Sequence, residues 1–150
     1  VVLDPIRDEE FTASRGNGAQ LNGRRIRVSN LKGLEGALLG TGIPFKNHCE
    51  DKLTNYSRTI DNLARECAGI RRAGAASLDL AYVAAGRLDA FWEVGLSTWD
   101  IAAGALLITE AGGLISDVNG SQSHLDSGNV VCGNPKCFKA VLKCVRPLLG

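Results

Sequence analysis

The stretch Phe91-Trp92-Glu93-Val94-Gly95-Leu96-Ser97-Thr98-Trp99-Asp100 constrains the fold more than any other, because it demands a strand, a turn and a helix within a dozen residues. Leu88-Asp89-Ala90-Phe91-Trp92-Glu93 alternates with the period of a strand and ends on Glu93. Gly95 supplies the turn. Ser97 or Thr98 caps a helix that runs to about Glu110 and stops at Gly112-Gly113. Asp100 then falls in the first helical turn, where unpaired backbone N–H groups and the macrodipole favour an ionised carboxylate. In open α/β sheets, ligands collect where strands end and helices begin. Two readings of the acid pair stand on spacing alone: Glu93 and Asp100 hold a hard cation and a polar substrate, or Asp100 stabilises a helix start while Glu93 is a solvated strand end.

The flanking elements extend this pattern. Residues 1 to 28 read as a meander of short strands, with Phe11-Thr12-Ala13 in one strand, turns at Arg15-Gly16-Asn17-Gly18 and Leu21-Asn22-Gly23, and a strand at Arg25-Ile26-Arg27-Val28. Ser29 to Gly36 is a loop, and Gly36 to Gly42 is a buried strand whose small residues admit another backbone. Pro44 closes that strand and a polar loop runs from Lys46 to Lys52. From Leu53 to Cys67, the residues Tyr56, Ile60, Leu63, Ala64 and Cys67 fit a helix with one buried stripe. Gly69 to Arg72 is a short strand. Gly74-Ala75-Ala76-Ser77 opens a helix that ends at Gly86, its small residues suited either to packing on a sheet or to the approach of a phosphate or hydroxyl. Within it, Asp79 reads as a local hydrogen-bonding group and Tyr82 as a core aromatic. Leu114 to Asp117 is a strand, and Val118 to Ser127 a polar loop holding a solvated His124. Asn129 to Cys132 is a strand, and Asn134 with Pro135 starts a helix that buries Phe138, Val141, Leu142 and Val145 until Pro147. Strands alternating with helices make the fold class α/β, with an antiparallel or mixed contribution from the opening meander.

Composition narrows the function classes. The formal charge of +1 argues against direct nucleic-acid binding or attraction to an anionic membrane. No apolar run approaches membrane-spanning length. Cys49, Cys67, Cys132, Cys137 and Cys144 make an odd set without a C-x-x-C pair, which fits a reducing compartment, so a cytoplasmic location is expected. His48 and His124 complete no zinc pattern with them, and the cysteines read as small buried hydrophobes. With no methionine and an apolar opening at Val1-Val2-Leu3, the chain reads as the C-terminal part of a longer protein.

The wider run RRAGAASLDLAYVAAGRLDAFWEVGLSTWDIAAGALLITEAGG, from Arg71 to Gly113, resembles the signature of the inositol monophosphatase family, nearest to its bacterial SuhB branch. The likeness continues through VVLDPIRDEEFTASRGNGAQLNG before it and GNVVCGNP after it, and so covers nearly the whole chain. The resemblance implies the layered α-β-α-β-α sugar-phosphatase fold, with residues 1–30 completing a preceding lobe and residues 31–150 forming a C-terminal α/β lobe. It also implies a magnesium-dependent, lithium-sensitive phosphatase of inositol 1-phosphate or similar polyol phosphates. In that picture Asp100 is a metal ligand and Glu93 accepts hydrogen bonds from inositol hydroxyls. The backbone of Gly74, Ala75 and Ala76 lines the substrate pocket, and Trp99 braces Asp100. The resemblance also implies a homodimer, with Arg71 and Arg72 matching a region near the dimer contact, although a pair of solvated charges fits them equally well.

Asp4-Pro5-Ile6-Arg7-Asp8 departs from the family's Asp-Pro-Ile-Asp-Gly-Thr metal segment, because Arg7 stands where the second aspartate belongs. Asp4 is therefore assigned to a turn. That segment and the family's water-orienting glutamate are missing from the sequence, so these residues alone are expected to be inactive. Two alternatives stay open. SuhB-type members act in transcription antitermination through NusA and RNA polymerase, and related bisphosphatases act on adenosine or fructose phosphates. An acid at position 93 suits hydroxyl groups and disfavours a second phosphate.

Overall fold

The computed structural model describes residues 1–43 and 53–150. The expected closure at Pro44, the polar loop that follows, and His48 and Cys49 lie outside the described residues. Four short strands open the chain: β1 (Val2–Asp4), β2 (Glu9–Ser14), β3 (Gly18–Leu21) and β4 (Arg24–Ile26). They pair in sequence order as an antiparallel meander. The β1–β2 turn is held by Asp4, whose Oδ1 accepts the Ile6 and Arg7 backbone N–H groups at 3.1 and 3.2 Å. Its Oδ2 accepts from the Arg7 guanidinium at 3.1 Å. The turn role assigned to Asp4 is what these bonds describe.

The rest of the chain builds around a second sheet. Its strands are β5 (Leu38–Thr41), β6 (Gly69–Arg71), β7 (Ala90–Glu93), β8 (Leu114–Ser116) and β9 (Val130–Gly133), in the spatial order β6-β5-β7-β9-β8. β5 lies parallel to both β6 and β7, while β9 runs antiparallel to β7 and β8, so the sheet is mixed. Central strands of such a sheet are covered on both faces. All four residues of β7 are accordingly buried. Its period of two sends Phe91 into one core and Ala90 and Trp92 into the other.

Helices α2 (Ala76–Ala84) and α3 (Thr98–Glu110) fill the layer between the two sheets. They pack closely because Gly104 faces Leu80, and a Cβ there would lie 2.5 Å from that of Leu80. The far face of the second sheet is covered by α1 (Leu53–Ala64) and α5 (Pro135–Leu149). The order of layers is therefore sheet, helix pair, sheet, helix pair, a mixed α/β architecture.

Three local expectations need correction. In α1 the stripe read from spacing holds for Tyr56 and Leu63, which are buried, and for Ile60 and Cys67, which pack half-buried on the same core, but Ala64 is exposed and Thr59 is buried in addition. Thr59 is buried because its hydroxyl donates to the Tyr56 carbonyl at 2.7 Å and accepts from the Trp92 indole at 3.1 Å. A threonine with both bonds made is as good a core residue as an aliphatic one. His124 is buried at 7% exposure as the first residue of the short α4 (His124–Ser127), with its Nδ1 unpaired, rather than solvated in a loop. Helix α5 runs past Pro147 to Leu149. The proline lies in the last turn, where it forfeits one hydrogen bond without breaking the packed helix.

Candidate functional site

Register places Glu93. β5 pairs with β7 as Gly40 with Phe91 and Thr41 with Trp92, so the next residue, Gly42, comes alongside Glu93. A Cβ on Gly42 would sit 1.7 Å from Glu93 Oε1, so the carboxylate occupies space that only glycine leaves free. Alternation along β7 gives Glu93 the same face as Phe91, toward the α2–α3 layer. Glu93 is 8% exposed, and no described residue donates a hydrogen bond to its carboxylate. Burial, together with the neighbouring charge of Asp79, pushes Glu93 up to about 7. The more weakly acting Asp100 adds to the rise, and the Arg72 guanidinium opposes it.

Asp100 is reached from the other side of the turn. Ser97 is the N-cap of α3, and its backbone N–H donates to Asp100 Oδ2 at 3.0 Å, half of a capping box. The reading of Asp100 as a helix-start stabiliser is therefore correct as far as Oδ2 goes. Its charge also acts on Glu93, which brings the strand end and the helix start into one electrostatic neighbourhood.

The third side is the start of α2. Gly74 has φ +92°, a conformation that side chains rarely adopt, and Arg72 Nη1 stands 2.9 Å from where a Gly74 Cβ would lie. Ala75 is the N-cap and makes no side-chain cap bond. The first N–H groups of α2 are thus left to solvent or to a ligand. Gly74 and Ala75 are exposed and Ala76 is half-buried. Arg72, whose guanidinium lies against Gly74, carries a charge that acts on Glu93.

Asp79 belongs to this group, although its sequence context marks it only as a local hydrogen-bonding residue. It is 2% exposed on α2 and accepts no hydrogen bond from a described residue. Burial raises its carboxyl to about 6 against the pull of Arg72. A signal was present in the sequence: Asp79 is the one charge inside the apolar run Leu78 to Val83. Trp99 corrects in the opposite direction. It is 82% exposed, because position N2 of α3 points away from the helix pair, and it does not pack around Asp100 as expected. Arg71 and Arg72 are both exposed at the end of β6, and the Arg72 charge acts on Asp79 and Glu93.

Among the described residues, no three His, Cys, Asp or Glu side chains converge to hold a metal ion. The described residues therefore do not form a magnesium site by themselves. What the residues do form is a polar niche in which the Asp79 and Glu93 carboxylates accept no hydrogen bond from a described residue and the first N–H groups of α2 are free, suited to a ligand that carries hydroxyl groups.

The model of the inositol monophosphatase family matches residues 1–147, and the chain belongs to that family. Within it the chain is SuhB-like. It is 66% identical over 149 residues to the Nus factor SuhB of Pseudomonas aeruginosa, covering 99% of this chain and 55% of that protein. The crystal structure of extragenic suppressor protein SuhB from Bartonella henselae superposes with a TM-score of 0.89 at 43% identity, covering 95% of this chain and 54% of that one. The inositol monophosphatase of Anabaena superposes with a TM-score of 0.88 at 35% identity, covering 97% of this chain and 58% of that one. The chain spans about half the length of the curated relatives it matches. Among the described residues no helix is long and apolar enough to cross a membrane.

Proposed function

We propose that a protein carrying these residues at the relatives' full length is a magnesium-dependent phosphomonoesterase acting on inositol 1-phosphate or similar polyol phosphates. Family membership supports a phosphatase. The observation that carries the polyol preference is the buried Glu93 carboxylate, which takes no hydrogen bond from a described residue and lies beside an uncapped helix start. A carboxylate in that state loses part of its desolvation cost when hydroxyl groups donate to it. A second dianionic phosphate in the same place would meet three acids and one arginine. In this reading Glu93 orients the polyol, the N–H groups of Gly74, Ala75 and Ala76 line its path, and Asp100 is one magnesium ligand among several that lie outside the described residues. Residues 1–30 complete a preceding lobe, Arg71 and Arg72 lie near a homodimer contact, and the compartment is cytoplasmic.

A second reading is favoured by one specific finding, the 66% identity to a protein named Nus factor SuhB. It assigns the protein a role in transcription antitermination through NusA and RNA polymerase, separate from phosphate chemistry. Asp100→Asn in the full-length protein divides the two. Phosphate release from inositol 1-phosphate is expected to fall by two orders of magnitude or more, since removing a charged ligand from a catalytic metal site costs several kcal/mol, about 1.4 per decade. Capture of NusA is expected to persist. Undiminished phosphate release would remove Asp100 from the site.

A further inference from the structure

Gly42, the residue that follows β5, has no backbone reason to be glycine. Its φ lies outside the left-handed region that Gly74 occupies, so an ordinary residue fits its backbone. What excludes a side chain is space. Around the place of a Cβ on Gly42 the three nearest heavy atoms are Oε1, Cδ and Oε2 of Glu93, all at 2.5 Å or less. Gly42 is buried, and the Glu93 carboxyl group stands where any other residue would keep its Cβ. At Gly40 the corresponding space belongs to the Leu88 and Phe91 side chains, so only the second of these glycines serves the acid.

The backbone on both sides of this contact is fixed. Thr41, next to Gly42, pairs with Trp92, next to Glu93. The Thr41 hydroxyl donates to the Trp92 carbonyl at 2.9 Å, and the Tyr56 hydroxyl lies 2.7 Å from Thr41 Oγ1 and 3.2 Å from the same carbonyl. The Trp92 indole donates to Thr59 on α1. Thr41, Tyr56, Thr59 and Trp92 are each no more than 3% exposed. Buried polar groups with their bonds made resist displacement, because a shift leaves donors and acceptors unpaired in a dry interior. A Cβ at position 42 is therefore accommodated by rotation of the flexible Glu93 side chain and not by sliding of the strands.

We propose that Gly42 is the positioning residue for Glu93: its missing side chain is the socket that seats the carboxylate beside the end of β5 and sets which hydroxyl groups of a polyol the acid meets. The inference rests on the assignment of Glu93 to polyol recognition made above, and it adds a residue that acts on the ligand only through Glu93. Neither Glu93 oxygen is among the fully enclosed, unpaired atoms of the described residues, so a hydroxyl group reaches the seated carboxylate. The competing account is a glycine that lets the ligand itself approach the strand. The two differ in one respect: direct approach makes position 42 matter whether or not residue 93 carries a carboxylate.

The test uses the full-length protein with Gly42→Ala, with Glu93→Ala and with both. Crystal structures of the parent and of Gly42→Ala are expected to show Glu93 in different rotamers over superimposed β5 and β7 backbones. A displaced strand with the carboxylate still seated overturns the inference. KM for inositol 1-phosphate at saturating magnesium is expected to rise about tenfold or more in Gly42→Ala, with a smaller change in kcat, as when hydrogen bonds to a charged acceptor are lost. In the Glu93→Ala background the same glycine replacement is expected to change KM by less than about twofold, since no carboxylate is left for it to displace. A further rise as large as in the parent background shows that position 42 meets the ligand directly and overturns the inference. So does a KM that Glu93→Ala raises and Gly42→Ala leaves unmoved. A moved carboxylate with KM unaltered in both single variants upholds the positioning role and removes Glu93 from substrate recognition, which separates the two claims.

Discussion

A carboxylate held partly protonated at neutral pH is a stability liability that a binding site carries for the sake of its ligand. For Glu93 the sign is fixed by the direction of its shift. The folded protein holds the proton up to about 7, whereas an unfolded glutamate releases it near 4.5. Between those values the folded state binds more protons, so stability falls as pH rises through that window and stays lower above it. Glu93→Gln removes the effect. The variant is expected to melt with the parent near pH 4, where both side chains are neutral, and to be more stable at pH 8 by up to about 3 kcal/mol, given ~1.4 kcal/mol per pH unit. Melting curves at the two pH values check this. Equal stability at pH 8 would mean that Glu93 is solvated and ionised there. Such a residue was legible from the chain because strand, glycine and N-cap follow one another locally. Asp79 was not, because an acid on a helix looks the same in sequence whether its face meets water or a packed layer, and only the tertiary packing of α2 decides.

At the scale of elements, helix starts carry much of the organisation. Asn134 caps α5: its Oδ1 accepts from Lys136 N and Cys137 N, both at 3.0 Å. Its Nδ2 donates to Ser29 Oγ at 2.8 Å, and that hydroxyl donates in turn to Asp89 Oδ1 at 2.5 Å. Asp89 Oδ2 accepts Leu38 N at 2.8 Å. One buried side chain thus ties the last helix to the edges of β5 and β7. Asn134→Ala removes the cap and strands its partners, and is expected to lower the unfolding free energy by about 2 kcal/mol. Asn134→Asp keeps the cap oxygen, loses the donor, and should fall between. Urea unfolding with an unchanged m-value measures both, and an alanine variant within a few tenths of the parent would show that water replaces the cap. The N-cap and Pro135 were plain in the sequence, since that grammar is local. What was not plain was the burial of Thr59 and His124, because polar residues enter a core only where a distant partner, such as the Trp92 indole, or a packed surface receives them.

At the scale of the whole molecule, charge decides what these residues can do unaided. The net charge of +1 conceals an acidic site, with Asp79, Glu93 and Asp100 set against Arg72. Above neutrality that neighbourhood carries excess negative charge, which repels a dianionic phosphomonoester rather than binding it. Hydrolysis requires positive charge on the phosphoryl oxygens and an oriented water, and no three metal-ligating side chains converge among the described residues to supply the first. The 150-residue chain by itself is therefore expected to release no phosphate from inositol 1-phosphate above a protein-free control, even at saturating magnesium, while a protein of the relatives' full length does so. Helix content matching the structure, read by circular dichroism on the same sample, separates an inactive fold from an unfolded one. Magnesium-dependent turnover by the chain alone would mean that a metal site assembles from these residues, and the assignment of Asp100 as one ligand of a larger set would have to be abandoned.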